Sequence, residues 1–144
     1  MILSLLLATA LTDWSLRGSA RMMTDADGVP YAFVEEESAV YGLFPVEPGT
    51  TLEVTLRAKA QRYLRGTRHP PWLAVSFYAT EEEGRAPNAA WSFVRPKLEL
   101  PPLRLARNRG ICEKTETYPV PKTARWCRLV FRGGNLYGCD VKVK

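Results

Sequence analysis

Residues 52–60 alternate strictly between apolar and polar side chains. The apolar positions are Leu52, Val54, Leu56 and Ala58, and the polar positions are Glu53, Thr55, Arg57 and Lys59. Successive side chains of a β-strand point to opposite faces of the sheet, so this pattern predicts a strand with one buried face and one wet face. A helix would instead repeat its apolar positions every three or four residues.

The same alternation recurs along the chain and predicts the fold class. It indicates strands at residues 72–79, 126–132 and 136–144, and shorter apolar runs indicate strands at residues 20–23, 31–34, 40–46, 90–94 and 113–118. The apolar phase of the last strand is Tyr137, Cys139, Val141 and Val143. Residues 80–85 predict a hairpin-type turn, and the proline-rich residues 97–110 an irregular loop. Roughly eight to ten short strands without a clear helix predict an all-β fold, an antiparallel β-sandwich.

Residues 1–12 differ from the rest because they are almost entirely apolar. Ala8-Thr9-Ala10 has the small-x-small form that signal peptidase cleaves, so the segment resembles a short secretory signal. No Lys or Arg precedes the apolar run, which leaves a first strand or an unstructured start as the alternative. The run is too short to span a bilayer. We expect one β-sandwich domain at residues 13–144 of a secreted or cell-surface protein, with the periplasm left open.

The composition fits a globular domain and says little about partners. Of the 144 residues, 46% are apolar and 24% are charged, which suffices for one sizeable core. The formal net charge of +5 permits an acidic partner without requiring one. We expect a monomer with no nucleic-acid partner.

Three cysteines, Cys112, Cys127 and Cys139, leave two alternatives open. An exported protein would form one disulfide and keep one thiol, and Cys127 with Cys139 is then the preferred pair because both occupy apolar phases. Otherwise the cysteines stay reduced and act as small core residues. With a single histidine and no C-x-x-C motif, zinc binding is not expected.

Five motifs follow one another in a characteristic order. They are V-x-P-G-T-T-L-x-V-x-L-x-A-K from Val46, A-V-S-F-Y-A-T-x-x-x-G from Ala74, W-S-F from Trp91, Y-P-V-P-K-T-A-R-W-C-R-L-V-F from Tyr118 and G-C-D-V-K-V from Gly138. This order resembles the galactose-binding-domain-like jelly rolls, which include carbohydrate-binding modules of secreted glycoside hydrolases and polysaccharide lyases. The resemblance covers residues 40–144; the N-x-x-F-E opening common in those modules is absent. It implies a β-sandwich of jelly-roll type that binds glycans as an accessory module.

Sugar binding needs flat aromatic faces that pack against sugar rings, together with polar groups for the hydroxyls. Trp72 and Tyr78 are predicted to lie on one face of one strand, about 20 Å apart, on the phase not assigned to the core. With Trp91, and with Tyr63 or Arg62 at its edge, they would line a ligand-binding cleft. The alternative for each tryptophan is that it completes the core.

Two groups of basic residues suggest that the glycan is anionic. The first group is Arg57, Lys59, Arg62, Arg65 and Arg68, and the second is Arg104, Arg107 and Arg109. Guanidinium groups pair with planar anions through two parallel hydrogen bonds. The alternative is a solvated surface that keeps the module soluble.

The resemblance also implies a structural calcium ion. In those modules the aspartate that matches Asp140 commonly ligates the ion together with oxygens of the N-terminal segment. This chain has Cys139 in place of a second aspartate, so Asp13, Asp25 or Asp27 would have to supply further ligands. The alternative is an exposed carboxylate without a metal, and no cofactor is expected to be required.

Catalysis has little support in the residues, and we expect no enzyme activity. His69 is expected to shape a loop beside Pro70-Pro71, and no nucleophile elbow, H-E-x-x-H motif or phosphate-binding glycine loop occurs. The acidic runs at residues 35–37 and 81–83 belong to predicted turns. A second function stays open, namely a structural or protein–protein interaction sandwich of the cell envelope without a sugar site.

Overall fold

The structure, a computed structural model, describes residues 15–35, 39–62, 68–85, 98–104 and 110–144. Within these ranges the chain forms eleven strands and one helical turn. The strands are β1 (Ser15–Arg17), β2 (Arg21–Thr24), β3 (Pro30–Val34), β4 (Ala39–Pro45), β5 (Thr51–Arg62), β6 (Arg68–His69), β7 (Trp72–Tyr78), β8 (Leu98–Arg104), β9 (Ile111–Pro119), β10 (Trp126–Arg132) and β11 (Gly134–Val143); the helix α1 is Glu81–Gly84. The predicted signal at residues 1–12 and the predicted strand at residues 90–94 lie outside the described residues.

The strands form two antiparallel sheets. The five-stranded sheet has the order β1-β4-β10-β7-β8. The six-stranded sheet has the order β2-β3-β11-β5-β6. Its sixth strand is β9, which pairs with β5 along the whole length of β9. The predicted all-β, antiparallel sandwich is therefore confirmed.

The core lies between the two sheets and is filled by the inward phase of their strands. The central strands contribute Leu52, Val54, Leu56 and Ala58 from β5, Leu73, Val75 and Phe77 from β7, and Cys127, Leu129 and Phe131 from β10. All of these side chains are fully buried. Truncating a large buried side chain to alanine typically costs about 2–5 kcal/mol, so this inward phase accounts for much of the stability.

The chain passes from one sheet to the other at the turn between β10 and β11. Gly133 has a φ of 74°, in the left-handed region that glycine adopts without steric cost. Gly134 is crowded, because a Cβ atom there would come within 2.6 Å of Pro71 and 2.9 Å of the Lys59 carbonyl oxygen. The turn therefore needs both glycines, and it leaves Arg132 at the end of β10.

The prediction of an irregular loop at residues 97–110 is wrong where β8 forms. This edge strand pairs with β7, although Pro101 and Pro102 lack the N–H groups that a ladder requires. The pairing skips both prolines through a register shift between Leu73 and Val75. A proline pair is tolerated because it lies at a bulge of an edge strand.

Residues 80–85 form α1 and not the predicted hairpin-type turn. Oγ1 of Thr80 accepts a hydrogen bond from the N–H of Glu83 at 3.2 Å, which caps the helix. Three glutamates occupy the first turn, where the helix dipole favours negative charge.

Within the described part of the chain, no helix has the length and apolar character needed to cross a membrane.

A bulge in β11 changes the phase of Tyr137. The register against β5 shifts between Leu136 and Gly138, so Leu136 and Cys139 both face the core. Tyr137 was predicted on the apolar phase but lies partly exposed on the outward face, where its ring stacks on Tyr31 with the centroids 5.2 Å apart. An extra residue in a strand changes the sheet face on which the following side chains lie, and the alternation of apolar and polar residues alone does not show where this happens.

No disulfide joins the three cysteines in this structure. Cys127 and Cys139 are buried in the core from opposite sheets, and Cys112 is partly exposed. Burial raises the pKa of both buried thiols well above the ordinary value, so both stay protonated. This arrangement corresponds to the reduced alternative and not to a Cys127–Cys139 disulfide.

Candidate functional site

The outward face of the five-stranded sheet carries the predicted site residue Trp72. On this face β7 contributes Trp72, Ala74, Ser76 and Tyr78, and β10 contributes Trp126, Arg128, Val130 and Arg132. The cross-strand pairs are Trp72 with Arg132, Ala74 with Val130, Ser76 with Arg128, and Tyr78 with Trp126. Two tryptophans, a tyrosine and two arginines therefore share one surface.

Helix α1 covers the end of this face that carries Tyr78. Gly84 packs so closely on Leu43 of β4 that a Cβ atom at Gly84 would lie 2.6 Å from Cδ1 of Leu43. Nη1 of Arg128 donates to the carbonyl oxygen of Gly84 at 3.4 Å, and its guanidinium lies over the Tyr78 ring, 4.7 Å from the centroid. Arg128 is 4% exposed and Tyr78 is 0% exposed. We call this region the covered end.

Tyr78, which is predicted to be a ligand-binding ring, is therefore not exposed in this structure. Alternation places Tyr78 on the outward phase correctly, but phase gives only the side of the sheet and not what lies above it. The Arg128 guanidinium occupies a face of the tyrosine ring. A sugar could not stack on Tyr78 without displacing Arg128.

The other end of the face remains partly exposed. Trp72 and Arg132 are both half-buried there, and Cζ of Arg132 lies 5.7 Å from the centroid of the Trp72 ring. Burial lowers the pKa of Arg132 from its ordinary value, and the positive charge of Arg128 lowers it further. The charge of Arg128 at the covered end therefore acts on Arg132. We call the region where Trp72 and Arg132 lie the open end.

The described structure brings no other predicted ligand-binding residue to the open end. Tyr63 and Trp91 lie outside the described residues. Arg62 ends β5 in the other sheet, where its backbone pairs with Arg68, and its side chain is outside the described part as well. Of the five residues predicted to line a cleft, Trp72 is the one that the described structure leaves accessible on a sheet face.

Asp140 lies in β11, away from the open end. Asp25, one of its expected co-ligands, is engaged elsewhere: its carboxylate accepts the N–H groups of Asp27 and Val29, each at 2.9 Å, and the Tyr137 hydroxyl at 3.1 Å. These hydrogen bonds, led by that from Val29, lower the pKa of Asp25. Among the described residues, no cluster of three or more His, Cys, Asp or Glu side chains is placed to hold a metal ion. Calcium binding at Asp140 stays a prediction.

Arg57 and Lys59 of β5 lie on the outward face of the six-stranded sheet. Nε of Arg57 lies 3.4 Å from Oε2 of Glu113 on β9, and both side chains are exposed. Beside them, the hydroxyls of Thr55 and Thr115 share a hydrogen bond of 2.8 Å. Arg57 is therefore part of a solvated surface on which a carboxylate already balances its charge.

Arg128 and Arg132 are the candidate residues that sequence reasoning missed. In Trp126–Arg132 both arginines occupy the phase opposite the core, which was a usable signal. The pairing of β10 with β7 could not be predicted from the sequence, because the two strands are far apart in the chain. Without that pairing, nothing in the sequence brings Arg132 to Trp72.

No protein-family model matches the chain, and no curated protein matches it in sequence. Solved structures match its fold. The C-terminal family 6 carbohydrate-binding module of LamC, a marine laminarinase from Zobellia galactanivorans, covers 94% of this chain and 94% of its own, with a TM-score of 0.57 at 10% identity. A family 35 carbohydrate-binding module from Clostridium thermocellum covers 91% and 93%, with a TM-score of 0.53 at 13% identity.

A third match is the CBM22-1–GH10 part of xylanase 10B from Clostridium thermocellum, complexed with xylohexaose. The match covers 91% of this chain and 26% of that one, with a TM-score of 0.59 at 12% identity. The fold is that of the jelly-roll carbohydrate-binding modules. The predicted jelly-roll resemblance is confirmed, and at such low identity the likeness concerns the fold and not the site residues.

Proposed function

We propose that this chain is a non-catalytic carbohydrate-binding module whose glycan site is the open end of the five-stranded sheet. The observation that carries the proposal is the partly exposed Trp72 on the outward face, beside Arg132. An indole offers a flat apolar surface to the C–H groups of a sugar ring, and nearby polar groups bind hydroxyls. The fold shared with carbohydrate-binding modules supports the same proposal.

The setting that we propose is an accessory module of a secreted or cell-surface protein, acting as a monomer. The apolar residues 1–12 and the small-x-small sequence that ends them support export. The net charge of +5 supports an anionic glycan.

A second candidate function has its own observation. Leu16, Met22, Met23 and Val29 are large apolar residues that are 38–43% exposed. Leu16 lies on β1 and Met22 and Met23 lie on β2, which are edge strands of their sheets, and Val29 lies between β2 and β3. Exposed edges with apolar side chains favour contacts with other proteins. A protein–protein interaction sandwich without a sugar site is therefore the competing function.

A glycan array, probed with and without EDTA, tests the proposed function. We expect the protein to retain at least one class of glycan, and a loss with EDTA would reveal a calcium requirement. Trp72→Ala should weaken retention about tenfold while the protein stays folded, because the side chain lies outside the core. Tyr31→Ala is the control, since Tyr31 is a half-buried ring on the other sheet.

Two results would count against this site. One is an absence of retention for every glycan on the array, and the other is an equal loss in Trp72→Ala and Tyr31→Ala. Capture of a protein partner that is lost in a Met22→Ser variant, with no glycan retained, would favour the second function.

A further inference from the structure

Strand β2 is an edge of the six-stranded sheet, and its outer side meets no other strand in the described part of the chain. The N–H of Asp25 donates to the carbonyl oxygen of Val29 at 2.9 Å, which fixes the hydrogen-bonding phase between β2 and β3. Bonded and non-bonded pairs alternate in an antiparallel ladder, so the N–H and C=O groups of Met22 and Thr24 point away from β3. Pro30, which lies opposite Thr24 and has no N–H, agrees with this phase.

Apolar side chains lie exposed along the same edge. Met22 lies opposite the core residue Ala32 and so occupies the inward phase of its sheet, yet it is 42% exposed. Leu16 on β1 occupies the inward phase of the other sheet, because its partner Val40 lies opposite the core residue Phe131. It is 38% exposed. Both side chains therefore face the gap between the sheets at a side that no described strand covers.

The other edges of the described structure have features that hinder the addition of a strand. β8 contains Pro101 and Pro102, which lack N–H donors. β9 carries Lys114 and Glu116 on its inward phase, opposite core residues of β5, and burying such charges would be costly. β1 and β6 have only three and two residues. β2 contains neither a proline nor a charged side chain on its inward phase, so it is the edge best suited to pair with another strand.

Arg21 gives this edge a charge preference on its outward phase. Nη1 of Arg21 donates to the carbonyl oxygen of Ser19 at 3.2 Å, and the guanidinium lies over the Phe33 ring, 4.6 Å from the centroid. The residue is exposed, and a guanidinium has five N–H donors, so a carboxylate can also reach it. Asp25, on the same phase beyond the other end of β2, would repel an acidic side chain. An acidic residue of an added strand therefore fits at the Arg21 end.

We propose that the β2 edge binds an extended segment of a partner protein, which adds to the six-stranded sheet as an antiparallel strand. The edge-directed backbone groups of Met22 and Thr24 would form the hydrogen bonds. Apolar side chains of the segment would cover Met22 and Leu16, and an acidic side chain on the other phase would lie beside Arg21. The inference goes beyond the proposed glycan site, which lies on the other sheet, and does not depend on it.

Three capped seven-residue peptides test the proposal by NMR titration of the unmodified protein. In the first peptide valine alternates with threonine, and one threonine is replaced by glutamate. The second has methylated valine nitrogens, which removes the N–H groups that would face β2. The third has methylated threonine and glutamate nitrogens, which leaves those groups intact.

We expect the first and third peptides to shift the amide signals of Met22 and Thr24 in a saturable way. Hydrogen exchange at these two N–H groups should slow at least about fivefold when the edge is saturated. The second peptide should bind at least about tenfold more weakly, because it cannot donate to the edge. Amide signals of β9, at the opposite edge of the sheet, should not shift.

Variants identify the groups responsible. Thr24→Pro removes one edge N–H and keeps the ladder to β3, so it should weaken the first peptide about tenfold, whereas Thr24→Ala keeps the N–H and should change the affinity less than about twofold. Arg21→Gln should abolish the preference for the glutamate peptide over its glutamine analogue. Arg57→Gln removes the same charge farther from the edge and should preserve that preference. Circular dichroism checks that each variant is folded.

Equal binding of the two methylated peptides would overturn the proposal, and so would an absence of binding by all three. Slow exchange at Met22 and Thr24 in the protein alone would overturn it as well, because the edge would already be occupied. If that protection rises with protein concentration, the occupant is a second copy; otherwise it is another part of the same chain. Glycan retention is measured separately, so an empty glycan array with peptide binding rejects the glycan site alone, and the converse rejects this inference alone.

Discussion

The outward faces of the two sheets use similar residue types in different ways. On the six-stranded sheet, Nε of Arg57 lies 3.4 Å from Oε2 of Glu113, and both side chains are well exposed. On the five-stranded sheet, Arg128 is buried over the Tyr78 ring, and Arg132 is half-buried over the Trp72 ring. The first face thus carries its arginine in an exposed ion pair, whereas the second face carries its arginines against aromatic side chains, one of which is the partly exposed indole of Trp72.

The difference shows why a count of basic residues is a poor guide to a binding surface. The β5 group is the more prominent in the sequence, because its basic residues are close together in the chain. An exposed ion pair contributes little, since water and salt screen it. A partly buried guanidinium that is fixed on an aromatic ring keeps its donors in one orientation, which favours recognition of a ligand.

The largest expected effect is the difference in the free energy of unfolding between variants of the arginines on the two faces. Arg128→Ala should lower the free energy of unfolding by about 2–3 kcal/mol, because it removes a buried stack on Tyr78 and the hydrogen bond to Gly84. Arg57→Ala should cost less than about 0.5 kcal/mol. Urea unfolding followed by circular dichroism measures both, and similar values would erase the distinction between the faces.

The next effect concerns the helix that covers Tyr78. Thr80→Ala removes the hydroxyl that caps α1 and should cost about 1 kcal/mol. Thr80→Ser keeps an accepting hydroxyl and is the control. Hydrogen exchange at the N–H of Glu83 should accelerate in the alanine variant and not in the serine variant; unchanged exchange in both would mean that the cap does not hold the covered end.

The pH dependence tests the polar contacts beside the six-stranded sheet. Hydrogen bonds lower the pKa of Asp25 in the folded protein below its ordinary value of 3.8, so the ionised carboxylate favours folding above that pH. This contribution should be lost as the pH falls through the lower folded pKa. Thermal unfolding of the Asp25→Asn variant should therefore depend less on pH below about 4 than that of the unmodified protein. Identical acid profiles would show that these contacts are not formed.

The smallest expected effect follows from the ion pair on the six-stranded sheet. Glu113→Gln should change the free energy of unfolding by less than about 0.5 kcal/mol, because both partners are exposed. It should also leave glycan affinity unchanged, although it releases Arg57 from its carboxylate. Increased affinity for an acidic oligosaccharide in this variant would move the glycan site to the six-stranded sheet.

Alternation in the sequence was enough to predict the central strands and their core-facing side chains. Leu52, Val54, Leu56 and Ala58 all face inward as expected, because a strand that is half buried repeats every two residues. The same rule failed where the backbone departs from a regular ladder. The bulge in β11 moved Tyr137 outward, and the bulge in β8 accommodated two prolines.

The candidate site was predicted only in part, for a physical reason. The alternation put Trp72 and Tyr78 on the outward phase, but exposure depends on elements that pack over the sheet. The Thr80 cap that starts α1 over Tyr78 is a local signal that sequence reasoning can use in retrospect. The contact between Arg132 and Trp72 arises from long-range strand pairing, which no local pattern encodes.

The most direct measurement is an NMR titration of the labelled protein with a glycan retained on the array. We expect the indole N–H of Trp72 and the guanidinium N–H signals of Arg132 to shift in a saturable way, while the backbone amide signals of Thr55 and Thr115 on the other sheet do not shift. Saturable shifts confined to the six-stranded sheet, or to the edge strands β1 and β2, would contradict glycan binding at the open end.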